Sequence, residues 1–442
     1  MLVFFSIVFV ILSLIIVVYS IFKGPLLNLM SVITIPYIYL LRPIAILALQ
    51  RSLLYKIDIE LYKIGFFLAS LSLFIYNLGY LITFPRLSKL KKNFKGLVIN
   101  LSSSDKKTLR WILIFSIIFV IAMFSIGGLN VLGPNRNASM TALFPVLRYI
   151  YPFVQVGAAL IGFYGTLVFI VKKDKLKGFL LMIISFVLTS IVYQRGMTIG
   201  AISTAFFLSL DNIRLTKSKK RKLFEMLRIL ILFFLLFLLG VFLRDIFNFI
   251  VNGFSIEYLY LRSNTSNAQN DFIIFLLSRP DGDKLEVWSI LMEYLQKREP
   301  LLGKTLLRIP FMLTSSNFRL KTNLKTGVDI LNEYYQYETY WYKKFGFNLD
   351  TSQELVLNFG FVGVFYNFFI GILNGILVKR FYQSINRDGK LLQEYIIFYG
   401  VSYFLGTFAA FQWLIFSLLL LYILKRLEKI NFKIHWNIFS IK

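Results

Sequence analysis

The chain contains no cysteine, and its 442 residues include one histidine, His435. Disulfides, cysteine-ligated zinc and thiol nucleophiles are therefore excluded by inventory, and so is a histidine-rich metal site. An imidazole base could come only from the basic tail that holds His435. No glycine-rich phosphate-cradling loop occurs, which removes support for nucleotide use; no cofactor and no metal are expected. Charge is scarce as well: 16% of the residues are charged, against about a quarter in soluble domains.

Apolar residues fill the space left by the missing charges, at 57% of the chain. Lipid is the expected solvent. A hydrocarbon core about 30 Å thick needs roughly 20 apolar residues per helix. Such runs recur at 2–22, 27–49, 64–84, 109–127, 144–171, 179–194, 197–211, 229–250, 355–378, 391–409 and 411–424. The expected fold is an all-α polytopic integral membrane protein of about eleven transmembrane helices (ten to twelve). Residues 1–22 lack a basic leader and a small-residue cleavage site, so they read as the first span.

The net charge of +27 sits in connecting segments, which points to retention of loops in the cytoplasm rather than to nucleic acid. Segment 85–110 carries 8 Lys/Arg against 1 acid, and 211–228 carries 7 against 2. Segments 172–178, 379–394 and the tail 425–442 lean the same way. Segment 251–354 behaves oppositely, with 12 basic and 12 acidic residues. The positive-inside rule then sets the expected frame: a bundle of eight spans over 1–250, a large, partly helical extracytoplasmic loop over 251–354, three spans over 355–424, and a cytoplasmic tail over 425–442.

Ionisable residues inside apolar runs are costly and mark functional sites by default. Here they are Arg42, Arg148, Arg195 and the pair Arg244 and Asp245. In the expected topology Arg42, Arg148 and Arg244 lie roughly 6 to 11 Å below the outer surface, and Arg195 occupies an outer turn. A guanidinium grips phosphate with a planar fork at any relevant pH, so the cluster suits a lipid pyrophosphate; snorkelling or ion pairing between helices is the alternative. In the large loop, 284–298 has helical spacing of Leu285, Trp288, Leu291, Met292 and Leu295, which fits either a helix on the membrane surface or a packed loop helix. Tyr334, Tyr335, Tyr337, Tyr340, Trp341 and Tyr342 crowd one short stretch. Such rings suit sugar faces as well as the headgroup zone.

Three segments carry a likeness to a known family. They are Gln194-Arg195-Gly196-Met197, then Leu301-Leu302-Gly303-Lys304-Thr305-Leu306-Leu307-Arg308-Ile309-Pro310, and Thr351-Ser352-Gln353-Glu354-Leu355 running into Asn358-Phe359-Gly360-Phe361-Val362-Gly363. With the span count, basic inner loops and large late loop, the chain resembles the bacterial O-antigen and oligosaccharide repeat-unit polymerases (Wzy type). Gln194 stands where that family has Ser, and the family's Pro-Arg after the loop isoleucine is absent, leaving Arg308 as the substitute.

The resemblance implies a membrane glycosyltransferase of the bacterial plasma membrane. It would join undecaprenyl-pyrophosphate-linked oligosaccharides on the outer face, releasing undecaprenyl pyrophosphate, with a chain-length regulator protein as a further partner. Arg195, Arg244, Arg148 and Arg308 would hold the pyrophosphate and stabilise charge on the leaving group. Tyr337, Tyr340 and Trp341 would contact sugar. With no thiol and no outer imidazole, carboxylates remain as bases, Asp245 and Glu354 first, Asp350 and Asp271 behind them. A lipid-linked oligosaccharide flippase or an O-antigen ligase would share much of this pattern.

Overall fold

A computed structural model of the chain describes residues 1–27, 31–49, 57–86, 103–127, 145–172, 174–192, 195–216, 224–232, 284–307, 325–339, 349–387, 391–407 and 411–427. Every regular element among these residues is a helix. In chain order they are α1 (Leu2–Lys23), α2 (Ser31–Pro36), α3 (Arg42–Leu49), α4 (Ile59–Thr83), α5 (Ser103–Gly127), α6 (Pro145–Leu167), α7 (Lys175–Val192), α8 (Arg195–Thr216) and α9 (224–232). Then follow α10 (Lys284–Lys297), α11 (Lys304–Leu307), α12 (Gly327–Thr339), α13 (Thr351–Phe359), α14 (Gly363–Arg387), α15 (Leu391–Gly406) and α16 (Phe411–Leu427).

Five stretches among the described residues are long and apolar enough to cross a membrane: Leu2–Lys23, Ile59–Thr83, Lys107–Ser125, Phe153–Val171 and Thr351–Ile385. Burial follows the logic of a lipid solvent. In α1, Ser6, Ser13 and Ser20 are buried, while Phe4, Ile11, Ile15 and Phe22 face outward. Lipid is as apolar as leucine, so small residues that let helices approach take the contacts instead.

The central seam joins α4 to α14. Thr83 donates its hydroxyl to the Ile372 carbonyl at 3.0 Å. A Cβ at Gly79 would strike the Phe368 carbonyl, and one at Gly371 would strike the Tyr76 carbonyl. Later residues of one helix meet later residues of the other, so the two run parallel and in close backbone contact.

Two apolar runs are broken rather than straight. Pro36 cannot donate a backbone hydrogen bond, and the helix widens into a π turn at Tyr37–Leu41 before α3 continues. At Thr351–Ile385 the chain makes a hairpin. Gly360, with φ 61°, reverses direction through the 3-10 turn Gly360–Val362. Thus α13 folds back on α14: Ser352 donates to the Asn367 side chain at 2.6 Å, and a Cβ at Gly363 would strike the Leu355 carbonyl. The span expected over 355–378 therefore begins with a reversed segment that belongs to a different layer.

The helix expected near 284–298 is present as α10, and it is packed, not laid on a surface. Leu285 through Met292 are all buried, and Gly65 of α4 sits against the Trp288 and Ser289 backbone. Glu286 is fully buried and forms an ion pair with the equally buried Arg42. Tyr334 and Tyr335 of α12 are buried as well, Tyr334 meeting Tyr294 edge-on at 5.3 Å. These two tyrosines belong to an apolar core that they share with α1, α4 and α10.

At the other end of the bundle, Asp211 of α8 accepts from the Leu26 amide at 2.9 Å and from the Tyr382 hydroxyl at 2.6 Å. Arg214 donates to the Ile21 carbonyl at 2.8 Å, one of the acceptors left open where α1 ends. One turn of α8 thereby ties α1 to α14.

Candidate functional site

The starts of α10 and α13 meet at a cavity of about 490 Å³ walled by α4, α8, α14 and α15. That volume falls in the range of about 300 to 1,000 Å³ usual for small-molecule sites. The junction is held by local chemistry. Asp350 caps α13, accepting from the Gln353 amide at 2.9 Å, while Gln353 accepts from the Asp350 amide at 3.0 Å. The Gln353 side chain also donates to the Lys284 carbonyl at 2.9 Å, so one glutamine couples both helix starts. Lys284 and Asp350 stand 3.7 Å apart at the cavity, with side chains 38% and 19% exposed.

Rings and short polar groups line the interior. Tyr39, Tyr76, Trp288, Phe398, Tyr399 and Tyr403 contribute the aromatic surface. Asn367, Asn374, Ser352 and Thr351 contribute amides and hydroxyls, partly engaged: Asn374 donates to Tyr76, and Thr351 to the Leu405 carbonyl at 2.9 Å. Three further hydroxyls on residues of the wall, those of Ser72, Tyr399 and Ser402, are buried and have no hydrogen-bond partner among the described residues. A buried hydroxyl without a partner costs about 1 to 3 kcal/mol, and these three oxygens are covered by protein atoms rather than open to the cavity. Flat rings beside hydroxyls and amides match the faces and edges of sugars. At the same end the Lys284 ammonium and the partial positive charge at the start of α13 are met by the Asp350 carboxylate, so this side of the cavity carries a matched pair of charges.

The residues expected from sequence relate to this cavity unevenly. Glu354 is buried, but its carboxylate turns toward the start of α12, 3.6 Å from the position of a Cβ on Gly327, and it is not part of the cavity wall. Asp350, the weaker sequence candidate, is on the wall instead. Arg42 is taken up by Glu286, as ion pairing between helices would have it. The backbones of Arg148, Arg195 and Tyr337 lie in α6, α8 and α12, and their side chains are outside the described part of the structure. Arg244, Asp245, Asp271, Arg308, Tyr340 and Trp341 lie outside the described residues altogether. Sequence reasoning missed Lys284, Trp288 and the tyrosines of α15; Lys284 opens the apolar helical run noted above, which was the available signal.

Two of the three segments that carry the family resemblance meet in space. The Leu301 and Leu302 amides donate to the Leu357 and Asn358 carbonyls at 3.1 and 2.7 Å. Asn358 donates to the Thr305 hydroxyl at 2.6 Å and accepts from the Thr305 amide at 3.3 Å. No protein-family model, curated protein or solved structure matches the chain.

Proposed function

We propose that the chain is a glycan polymerase that joins undecaprenyl-pyrophosphate-linked oligosaccharide repeats on the outer face of a bacterial plasma membrane. The observation that carries this reading is the cavity, with its aromatic rings, amides and the charged pair of Lys284 and Asp350 on one wall. A hydroxyl of one repeat attacks the anomeric carbon of another, its proton passes to a carboxylate or to water, and undecaprenyl pyrophosphate departs with the bonding electron pair of the broken C–O bond. The leaving group brings its own activation, so no nucleotide is required. Holding donor and acceptor in one cavity turns a two-body encounter into a positioned one, and cationic groups beside the departing pyrophosphate stabilise its developing charge.

The finer topology belongs to the same proposal: about eleven spans, residues 251–354 outside and the tail in the cytoplasm. The parallel run of α4 and α14 supports it, because the charge-based frame makes both cross from outside to inside. Deletion followed by gel analysis of surface glycan tests the function. Glycan capped with a single repeat is the expected result. Full polymer left on its lipid carrier would indicate a ligase, and no repeat outside would indicate a flippase.

A further inference from the structure

The turn at 300–307 displays leucines where an aqueous loop would display polar groups. Leu302 is 80% exposed and Leu307 is 64% exposed. Leu302 also adopts φ 48°, a left-handed conformation that an L residue with a bulky side chain rarely takes. Strain of this kind persists only where the surroundings hold it. Here the amides of Leu301 and Leu302 are fixed to the end of α13. The Pro300 ring lies 3.3 Å from the position of a Cβ on Gly360, so the turn rests directly on the tip of the α13 and α14 hairpin.

That tip continues the same surface. Phe361 and Val362 are exposed, and below them Phe365, Phe369, Leu373 and Ile376 form an exposed stripe along α14 at spacings of three and four. The stripe belongs to a helix apolar enough to cross a membrane, and it stops at Lys379 and Arg380. From Val362 to Lys379 the helix rises about 26 Å at 1.5 Å per residue, close to the hydrocarbon thickness of about 30 Å. If the cations mark one headgroup layer, the hairpin tip and the leucine turn stand at the opposite one.

We infer that the 300–307 turn is seated in the outer leaflet of the bilayer, with Leu302 and Leu307 among the upper acyl segments and Lys304 at the level of the lipid phosphates. Continuity with the α14 stripe selects lipid as the occupant. An ammonium on a turn between two exposed leucines has the amphipathic form that interfacial segments use. The inference rests on α14 crossing the bilayer and takes the outer leaflet from the orientation proposed above, while it is independent of the reaction.

The absence of cysteine makes the test direct, since each added thiol is unique. Leu302→Cys, Leu307→Cys, a lipid-face reference Phe369→Cys and a polar reference Glu299→Cys would each be labelled with an environment-sensitive fluorophore. Each would then be reconstituted in phosphatidylcholine and phosphatidylglycerol vesicles. Quenching is read with a nitroxide on the upper acyl chain and with iodide in the buffer. The expected result is that positions 302 and 307 follow 369, with several-fold stronger lipid quenching and weaker iodide quenching than position 299. Iodide access at 302 and 307 equal to that at 299 would place the turn in water and overturn the inference. Protection from both quenchers would show a protein cover and overturn it equally.

Discussion

The ion pair between Arg42 and Glu286 joins the short apolar helix α3 to α10, whose start borders the cavity, and both side chains are completely buried. Glu286→Gln removes the carboxylate charge that offsets the Arg42 guanidinium, which cannot discard its proton. Breaking a buried pair from one side costs about 3 to 5 kcal/mol. Even the lower figure shifts the ratio of folded to unfolded protein more than about 100-fold. Arg42→Met should be the milder change, because a stranded carboxyl can take up a proton and become neutral. The double variant Arg42→Met/Glu286→Leu removes both charges and should recover most of the loss, since apolar replacement of a buried pair is often neutral. Unfolding of purified protein in mixed micelles, followed by circular dichroism, gives the three free energies and their coupling. If both single variants stay within about 0.5 kcal/mol of the native protein, the range of ordinary surface changes, the pair holds nothing and the reasoning fails.

Gly79→Ala should destabilise by about 1 to 3 kcal/mol through overpacking, because the added methyl meets the Phe368 backbone rather than a yielding side chain; the same unfolding assay reads it. Asn358→Ala should remove the side-chain tie to Thr305 while the two backbone bonds from Leu301 and Leu302 remain, and cost about 1 to 3 kcal/mol, visible as faster proteolysis at that turn in purified protein. Lys284→Ala should leave folding intact, since the side chain is 38% exposed, while lowering transfer on purified lipid-linked repeats; an unchanged rate would remove Lys284 from the site. Arg195→Ala and Arg244→Ala should abolish polymer at normal protein level, with Lys restoring only part, for want of the planar fork. Transfer should persist in excess chelator, and activity lost to chelation and restored by magnesium would refute a metal-free reaction.

Much of the helical framework was legible because apolar runs of bilayer length have few other uses. The boundaries of α1, α5 and α7 fall close to those expected. Reversal at Gly360 was not legible, because the residues on both sides are apolar and a hydropathy window averages across the turn. The partner of Arg42 was hidden for a different reason. A guanidinium within a span demands a carboxylate, yet twelve acids lie between 251 and 354 and nothing in their spacing singles out Glu286. The helical period of α10 was visible, while its burial on every side depends on helices that approach it from α4, α12 and α13. At the cavity, sequence reasoning ranked Glu354 ahead of Asp350. Only the capping geometry separates them, turning one carboxylate toward the wall and the other toward α12.

The parallel seam between α4 and α14 also sets a timetable for assembly. Its two halves are separated by nearly three hundred residues of chain. At about 5 to 20 residues per second, the ribosome needs on the order of 15 to 60 seconds to deliver the second after the first. During that interval the glycine-notched face of α4 has no native partner, and a chaperone or insertase that shelters such notches would find its longest-lived client surface there.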